Sequence, residues 1–150
     1  MRAEQPARLT LHASCVALAG RGVLIRGASG CGKSALALQL MGYGADLVAD
    51  DRVQLWQEKG LVLARAPVAL RGMIEARGFG ILRAEALPQA EICAIVDLDH
   101  LEEARLPVQR FERVLGQDIV VFHRLEGAYF AAALLQYLKS GVLDPDAKPE

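Results

Sequence analysis

The chain reads as an α/β fold, a P-loop-containing sheet with flanking helices, and three neighbouring features point there. Gly27-Ala28-Ser29-Gly30-Cys31-Gly32-Lys33-Ser34 fits G-x-x-x-x-G-K-[ST] at every fixed position. The run before it, Gly22-Val23-Leu24-Ile25-Arg26, is apolar and strand-like, and Ala35 to Met41 after it is rich in the helix formers Ala and Leu. A strand, a glycine-rich loop and a helix in that order place backbone N–H groups and a helix N-terminus around an anion. Glycines allow the positive φ that such a loop needs. The pattern implies a nucleoside triphosphate, with Lys33 on its β/γ-phosphates and Ser34 on Mg²⁺.

The remaining elements follow in order. Leu9 to Leu18 alternates, with Leu9, Leu11, Ala13 and Cys15 on one face and Thr10, His12 and Ser14 on the other, which predicts a half-buried strand. Gly20 and Gly22 turn the chain into the loop strand, and Gly42-Tyr43-Gly44 ends the helix. Asp46 to Asp51 is a short apolar run closing on two carboxylates. Val53–Trp56 and Leu61–Ala64, split by Gln57-Glu58-Lys59-Gly60, predict a hairpin. Glu91–Asp97 and Ile119–Phe122 are further strands, and Ala128–Lys139 a helix. The polar ends, 1–7 and 143–150, are expected to be flexible around one P-loop domain spanning 1–150.

With 150 residues and 53% hydrophobic content the chain suits one domain with a sizeable core. Seventeen Lys and Arg against eighteen Asp and Glu leave a formal charge of -1, so nothing global favours nucleic acid. The start lacks a signal-peptide core and no run is long and apolar enough to span a membrane, so a cytoplasmic protein is expected. Cys15, Cys31 and Cys93 are odd in number and far apart, against a disulfide framework or zinc site. Cys15 and Cys93 read as buried thiols, whereas Cys31 lies inside the phosphate loop.

A phosphate loop does not identify a reaction, so the other ionisable residues must. Asp50-Asp51 falls where a strand adjacent to the loop strand would end, the crevice position of open α/β sheets. One of these carboxylates there can accept a proton from an attacking hydroxyl. Ile95-Val96-Asp97 offers a competing apolar strand ending in a carboxylate, the pattern that supports metal in other P-loop NTPases. Between them, Met73 to Ile81 packs a carboxylate, a guanidinium and glycines among apolar residues. Glu75 offers a hard oxygen to Mg²⁺, and Arg77 a cation for a transferring phosphoryl group.

Taken together, these pieces resemble the catalytic domain of bacterial HPr kinase/phosphorylase. His12 precedes the loop, Leu47-Val48-Ala49-Asp50-Asp51-Arg52-Val53 follows it, and Glu75-Ala76-Arg77-Gly78-Phe79-Gly80-Ile81 is close to the signature Glu-x-Arg-Gly-x-Gly-Ile. The similarity runs from Leu11 to Leu82. It implies an ATP- and Mg²⁺-dependent serine kinase acting on HPr or a nitrogen-type carrier of the phosphotransferase system. Residue by residue, it makes Asp51 the proton acceptor, with His12 beside it. Ser34 and Glu75 would hold Mg²⁺, Lys33 would polarise the phosphates, and Arg77 would belong to the catalytic loop. The chain looks like the short, single-domain form without the N-terminal domain.

The resemblance has departures. The family's late basic segment, tied to reverse phosphorolysis, has no clear counterpart in Gln117 to Arg124, which leaves the reverse reaction unsupported. A later family arginine corresponds to Arg113 or Arg110, and assembly into a homo-oligomer stays open. Two alternatives stand beside the kinase: a generic P-loop NTPase or small-molecule kinase using Asp97, and a nucleotide-sensing module that transfers no phosphate.

Overall fold

A computed structural model describes residues 8–143; the expected flexible ends fall outside this range except for residue 143. Two strands, β1 (Arg8–Leu11) and β2 (Ala13–Leu18), lead to the loop strand β3 (Arg21–Arg26) and helix α1 (Lys33–Gly42). Next come β4 (Asp46–Ala49), β5 (Val53–Glu58), β6 (Leu61–Arg65), a 3-10 turn at Val68–Leu70, and the pair β7 (Met73–Ala76) and β8 (Gly80–Arg83). The chain continues with β9 (Ala90–Leu101), β10 (Arg110–Val114), β11 (Gln117–Arg124) and α2 (Phe130–Ser140).

Nine strands form one curled, mixed sheet in the order β1-β5-β6-β9-β3-β2-β4, with β11 and then β10 added on the β6 side of β9. The expected α/β class with flanking helices holds. The long central strand β9 runs parallel to both β3 and β11 and antiparallel to β6. Both helices cover one face, where Leu36, Ala37 and Leu40 of α1 and Phe130, Leu134 and Leu138 of α2 pack on Val23, Ile25, Ala94 and Val96. In α2 the buried positions recur at helical spacing, one apolar stripe laid on the sheet. The opposite face curls around a second core that includes Cys15, Leu24, Val53, Leu55, Val62, Ile95 and Val121.

Several sequence expectations change here. The single strand read from Leu9 to Leu18 breaks at His12: β1 pairs with β5, whereas β2 pairs with β3 and β4. Strand β2 is also buried on both faces, because helices cover one side and the curl encloses the other, so Ser14 is fully buried. Alternation reports polarity, and this polar position is solvated by a carboxylate instead of water. The strand ending in Asp50-Asp51 is not adjacent to the loop strand, since β2 lies between them. Cys15 is buried, which pushes its thiol pKa up, but Cys93 is only half-buried. Cys93 is the extra residue where the β3–β9 register shifts, between Ile92 and Ala94. This bulge turns Ala94 and Val96 toward the helices and leaves Ile92 and Ile95 in the curled core.

Candidate active site

The phosphate loop joins the end of β3 to the start of α1, so it stands at the carboxyl edge of the parallel strands β3 and β9. Gly27 has φ of 154°, and a Cβ there would lie 2.6 Å from Cys31 Sγ and 3.3 Å from both Leu98 Cβ and Asp99 Oδ1. No other residue fits that position without displacing the loop. Gly32, the N-cap of α1, has φ of 102° and supplies no side-chain cap, and the first turn holds no acidic residue. The first N–H groups of the helix are therefore left for an anion. Lys33 is buried and folds back on its own loop, its Nζ donating to Gly27 O at 2.8 Å and Ala28 O at 3.1 Å and lying 4.0 Å from Cys31 Sγ. Ser29 and Gly30 form the exposed crest of the loop.

Asp50 joins three separate elements. Its Oδ1 accepts from Ser14 Oγ and Ser34 Oγ, each at 2.7 Å, and its Oδ2 accepts from the Glu75 N–H at 3.1 Å. One buried carboxylate thus fastens β2, the first turn of α1 and the β7 strand around the Ser34 hydroxyl. Asp51 next to it is exposed and has φ of 69°. The Arg52 N–H bonds to Asp50 O at 2.8 Å, closing a tight γ-turn around Asp51 with positive φ. Such backbone strain persists only where neighbours hold it. His12 is one neighbour: its Nδ1 is 2.7 Å from Asp51 O and 3.3 Å from Asp51 Oδ1. A carbonyl only accepts, so Nδ1 carries the hydrogen. The kink that splits β1 from β2 is what brings His12 to this turn.

Strands β7 and β8 form a separate two-stranded hairpin with Glu75 opposite Ile81. Ile74 is buried in the helix-side core and anchors it, which leaves Glu75 exposed on the alternate face. A turn closed by the Phe79 N–H on Ala76 O carries Arg77 to the loop, its guanidinium 4.0 Å from where a Cβ on Gly30 would stand. The segment from Met73 to Ile81, which sets a carboxylate, a guanidinium and glycines among apolar residues, belongs to this hairpin.

Asp97 is buried and engaged elsewhere. Its carboxylate pairs with Arg26 at 3.4 Å and His100 at 2.9 Å and accepts the Asp99 N–H at 3.0 Å. Burial alone would raise its pKa, but the Asp99 amide, His100 and Arg26 outweigh it and hold the carboxyl below its usual range. Arg26 also forms a two-pronged bond to Glu112 of β10, which lowers the Glu112 pKa against the opposing effect of burial. The Ser34 hydroxyl bonds to Asp50 and not to Asp97. Of the two late arginines, Arg110 is bound to Glu102, whereas Arg113 pairs with Asp118 across the β10–β11 turn. Arg113 borders a recess of about 540 Å³ shared with Gly27, Ala28, His12, Asp97 and Asp99.

The structure therefore gathers His12, residues 27 to 34, Asp51, Glu75 and Arg77 around one edge of the sheet. Sequence reasoning passed over three participants: Ser14, the structural use of Asp50, and Asp99, whose Oδ1 accepts the Ala28 N–H at 2.9 Å. A serine inside an otherwise buried strand was the available signal for the first. Ser34 and Glu75 offer hard oxygens, the donor chemistry that suits Mg²⁺. Among the described residues, no group of three His, Cys, Asp or Glu side chains could hold a metal alone. Magnesium needs no such cage, since it is ordinarily held by one or two side chains with phosphate oxygens and waters.

A G-x-x-x-x-G-K-S loop between a parallel strand and a bare helix N-terminus defines the class of phosphate-loop α/β domains. Within that class the chain belongs to the HPr serine kinase C-terminal domain family, whose model matches residues 4–91. It is 45% identical over 83 residues to an HPr kinase/phosphorylase of Lactobacillus acidophilus, covering 55% of this chain and 26% of that protein. It is 37% identical over 115 residues to one of Limosilactobacillus reuteri, covering 71% of this chain and 35% of that protein. The chain thus spans between a quarter and about a third of these relatives' length. A solved Hpr(Ser) kinase/phosphatase of Coxiella burnetii superposes with a TM-score of 0.72 at 27% identity, covering 85% of this chain and 86% of that one. Among the described residues no helix is long and apolar enough to cross a membrane.

Proposed function

We propose that this domain transfers the γ-phosphoryl group of ATP to a serine hydroxyl of HPr or a nitrogen-type homologue, a cytoplasmic reaction of the bacterial phosphotransferase system. The observation that carries the reading is the convergence on the loop. Ser34 is oriented by Asp50, which also accepts the Glu75 N–H and so ties the Glu75–Arg77 hairpin to the loop, while Asp51 is strained and braced by His12. Ser34 and Glu75 are the residues that would hold magnesium, whose positive charge would offset the charge developing on the transferred phosphoryl group.

In this reading the residues 27 to 34 bind phosphate through backbone N–H groups. Lys33 exchanges its loop carbonyls for phosphate oxygens, and Arg77 adds positive charge beside Gly30. Asp51, exposed to an incoming protein, takes the serine proton, and the His12 N–H holds the backbone of its turn in place. The exposed side chains of Phe79 and Ile81 flank the same edge and suit contact with a protein acceptor. The rival that uses Asp97 as metal support is disfavoured by its engagement with Arg26 and His100, away from Ser34.

The test is transfer from γ-labelled ATP with Mg²⁺ to purified HPr-type carriers, with a serine-to-alanine carrier as control. Label that disappears in the control supports the serine kinase. Tight ATP binding with no label on any carrier would replace it with a nucleotide sensor.

A further inference from the structure

Among the described residues, Asp99 is the one side chain outside the family motifs that bonds to the phosphate loop. Its Oδ1 accepts the Ala28 N–H at 2.9 Å, and Gly27 leaves it room, since a Cβ there would come within 3.3 Å of the same oxygen. The carboxylate is fixed in turn: the Asp99 N–H donates to Asp97 Oδ1, and Asp97 is anchored by Arg26 and His100. Asp99 is exposed and takes part in none of the ion pairs among the described residues. The Lys33 ammonium faces loop carbonyls instead. A loop built to receive phosphate oxygens thus carries a protein anion on its entry amide.

We infer that Asp99 is a positioning residue with two opposed effects: its oxygen fastens the Gly27-Ala28 entry of the loop to β9, while its negative charge weakens triphosphate binding. Both rest on the reading of the loop as a nucleotide site. They separate chemically, because an asparagine oxygen can still accept the Ala28 N–H but carries no charge.

The experiment is calorimetric titration of the whole chain with MgATP and MgADP, at about 50 and about 500 mM salt, for the parent, Asp99→Asn and Asp99→Ala, with melting curves of each. Asp99→Asn is expected to bind MgATP about fivefold more tightly at low salt, with a smaller gain for MgADP and little gain at high salt, as screening requires. Its melting temperature should match the parent's. Asp99→Ala, lacking the acceptor, should lose most of that gain and melt lower. Asp99→Asn binding no more tightly than the parent would overturn the effect of charge, and equal affinity in the two variants would overturn the fastening. A parent that binds no MgATP would overturn the nucleotide-site reading itself, and this inference with it.

Discussion

Replacing Asp50 by alanine tests whether one buried carboxylate organises the site. Asp50 accepts from Ser14, Ser34 and the Glu75 amide, and Ser14 is fully buried. In Asp50→Ala the Ser14 hydroxyl has no partner and no water, which costs about 1–3 kcal/mol. The Ser34 hydroxyl and Glu75 amide are part-buried and can rehydrate, so about 0.5–1 kcal/mol each is reasonable. The total, about 3 kcal/mol, is a large share of the roughly 5–15 kcal/mol that holds a domain together. For a chain of this size that corresponds to a fall in melting temperature of about 6–12 °C. Scanning calorimetry reads the shift directly. Asp50→Asn is the control: with its amide turned, the oxygen takes the Glu75 N–H and the NH₂ group donates to both serine oxygens, so the fold should survive with a cost of about 1 kcal/mol. That variant occupies a Ser34 lone pair that the proposed metal site would need, so Mg²⁺-dependent nucleotide affinity should still fall. An alanine variant that melts within about 2 °C of the parent would refute the reasoning.

Other substitutions probe the neighbouring parts. Asp51→Asn should leave nucleotide affinity within about twofold and reduce transfer by about a hundredfold or more, since asparagine tolerates positive φ but cannot take the proton; labelled transfer alongside titration checks it. Gly27→Ala forces a Cβ to within 2.6 Å of Cys31 Sγ, and should cost about 1–3 kcal/mol together with most nucleotide affinity, measured by melting and titration. The lowered Asp97 and Glu112 carboxyls contribute stability that is complete above their unfolded pKa values, about 4, and is lost as pH falls through the lower folded values. Arg26→Met raises both, so acid unfolding followed by circular dichroism should move to higher pH; an unchanged midpoint would count against the ion cluster.

Much of this was legible in the chain. The loop from Gly27 to Ser34, the strand before it and the helix after it depend on contiguous residues, and local propensity and glycine placement decide them. Glu75 and Arg77 were likewise visible as charges among apolar neighbours. What misled was alternation. Thr10, His12 and Ser14 have the same spacing in a flat strand as in one that kinks at His12, so periodicity could not separate β1 from β2. The Cys93 bulge, which reverses the faces of β9, leaves no mark in composition.

The sequence by itself determined the class of fold, the glycine-rich loop between strand and helix, and the list of chemical groups available, because each lies in a short window where backbone geometry follows from residue type. Only the tertiary structure decided which carboxylate does what. Asp50, Asp51, Asp97 and Asp99 are equivalent as letters; burial, partners and a single positive φ separate them. Asp50 faces two serines, Asp51 is exposed in a strained turn, Asp97 is tied to Arg26, and Asp99 reaches the loop across 71 residues of chain. Those differences arise from strand order and sheet curl, which depend on long-range pairing that no local pattern encodes.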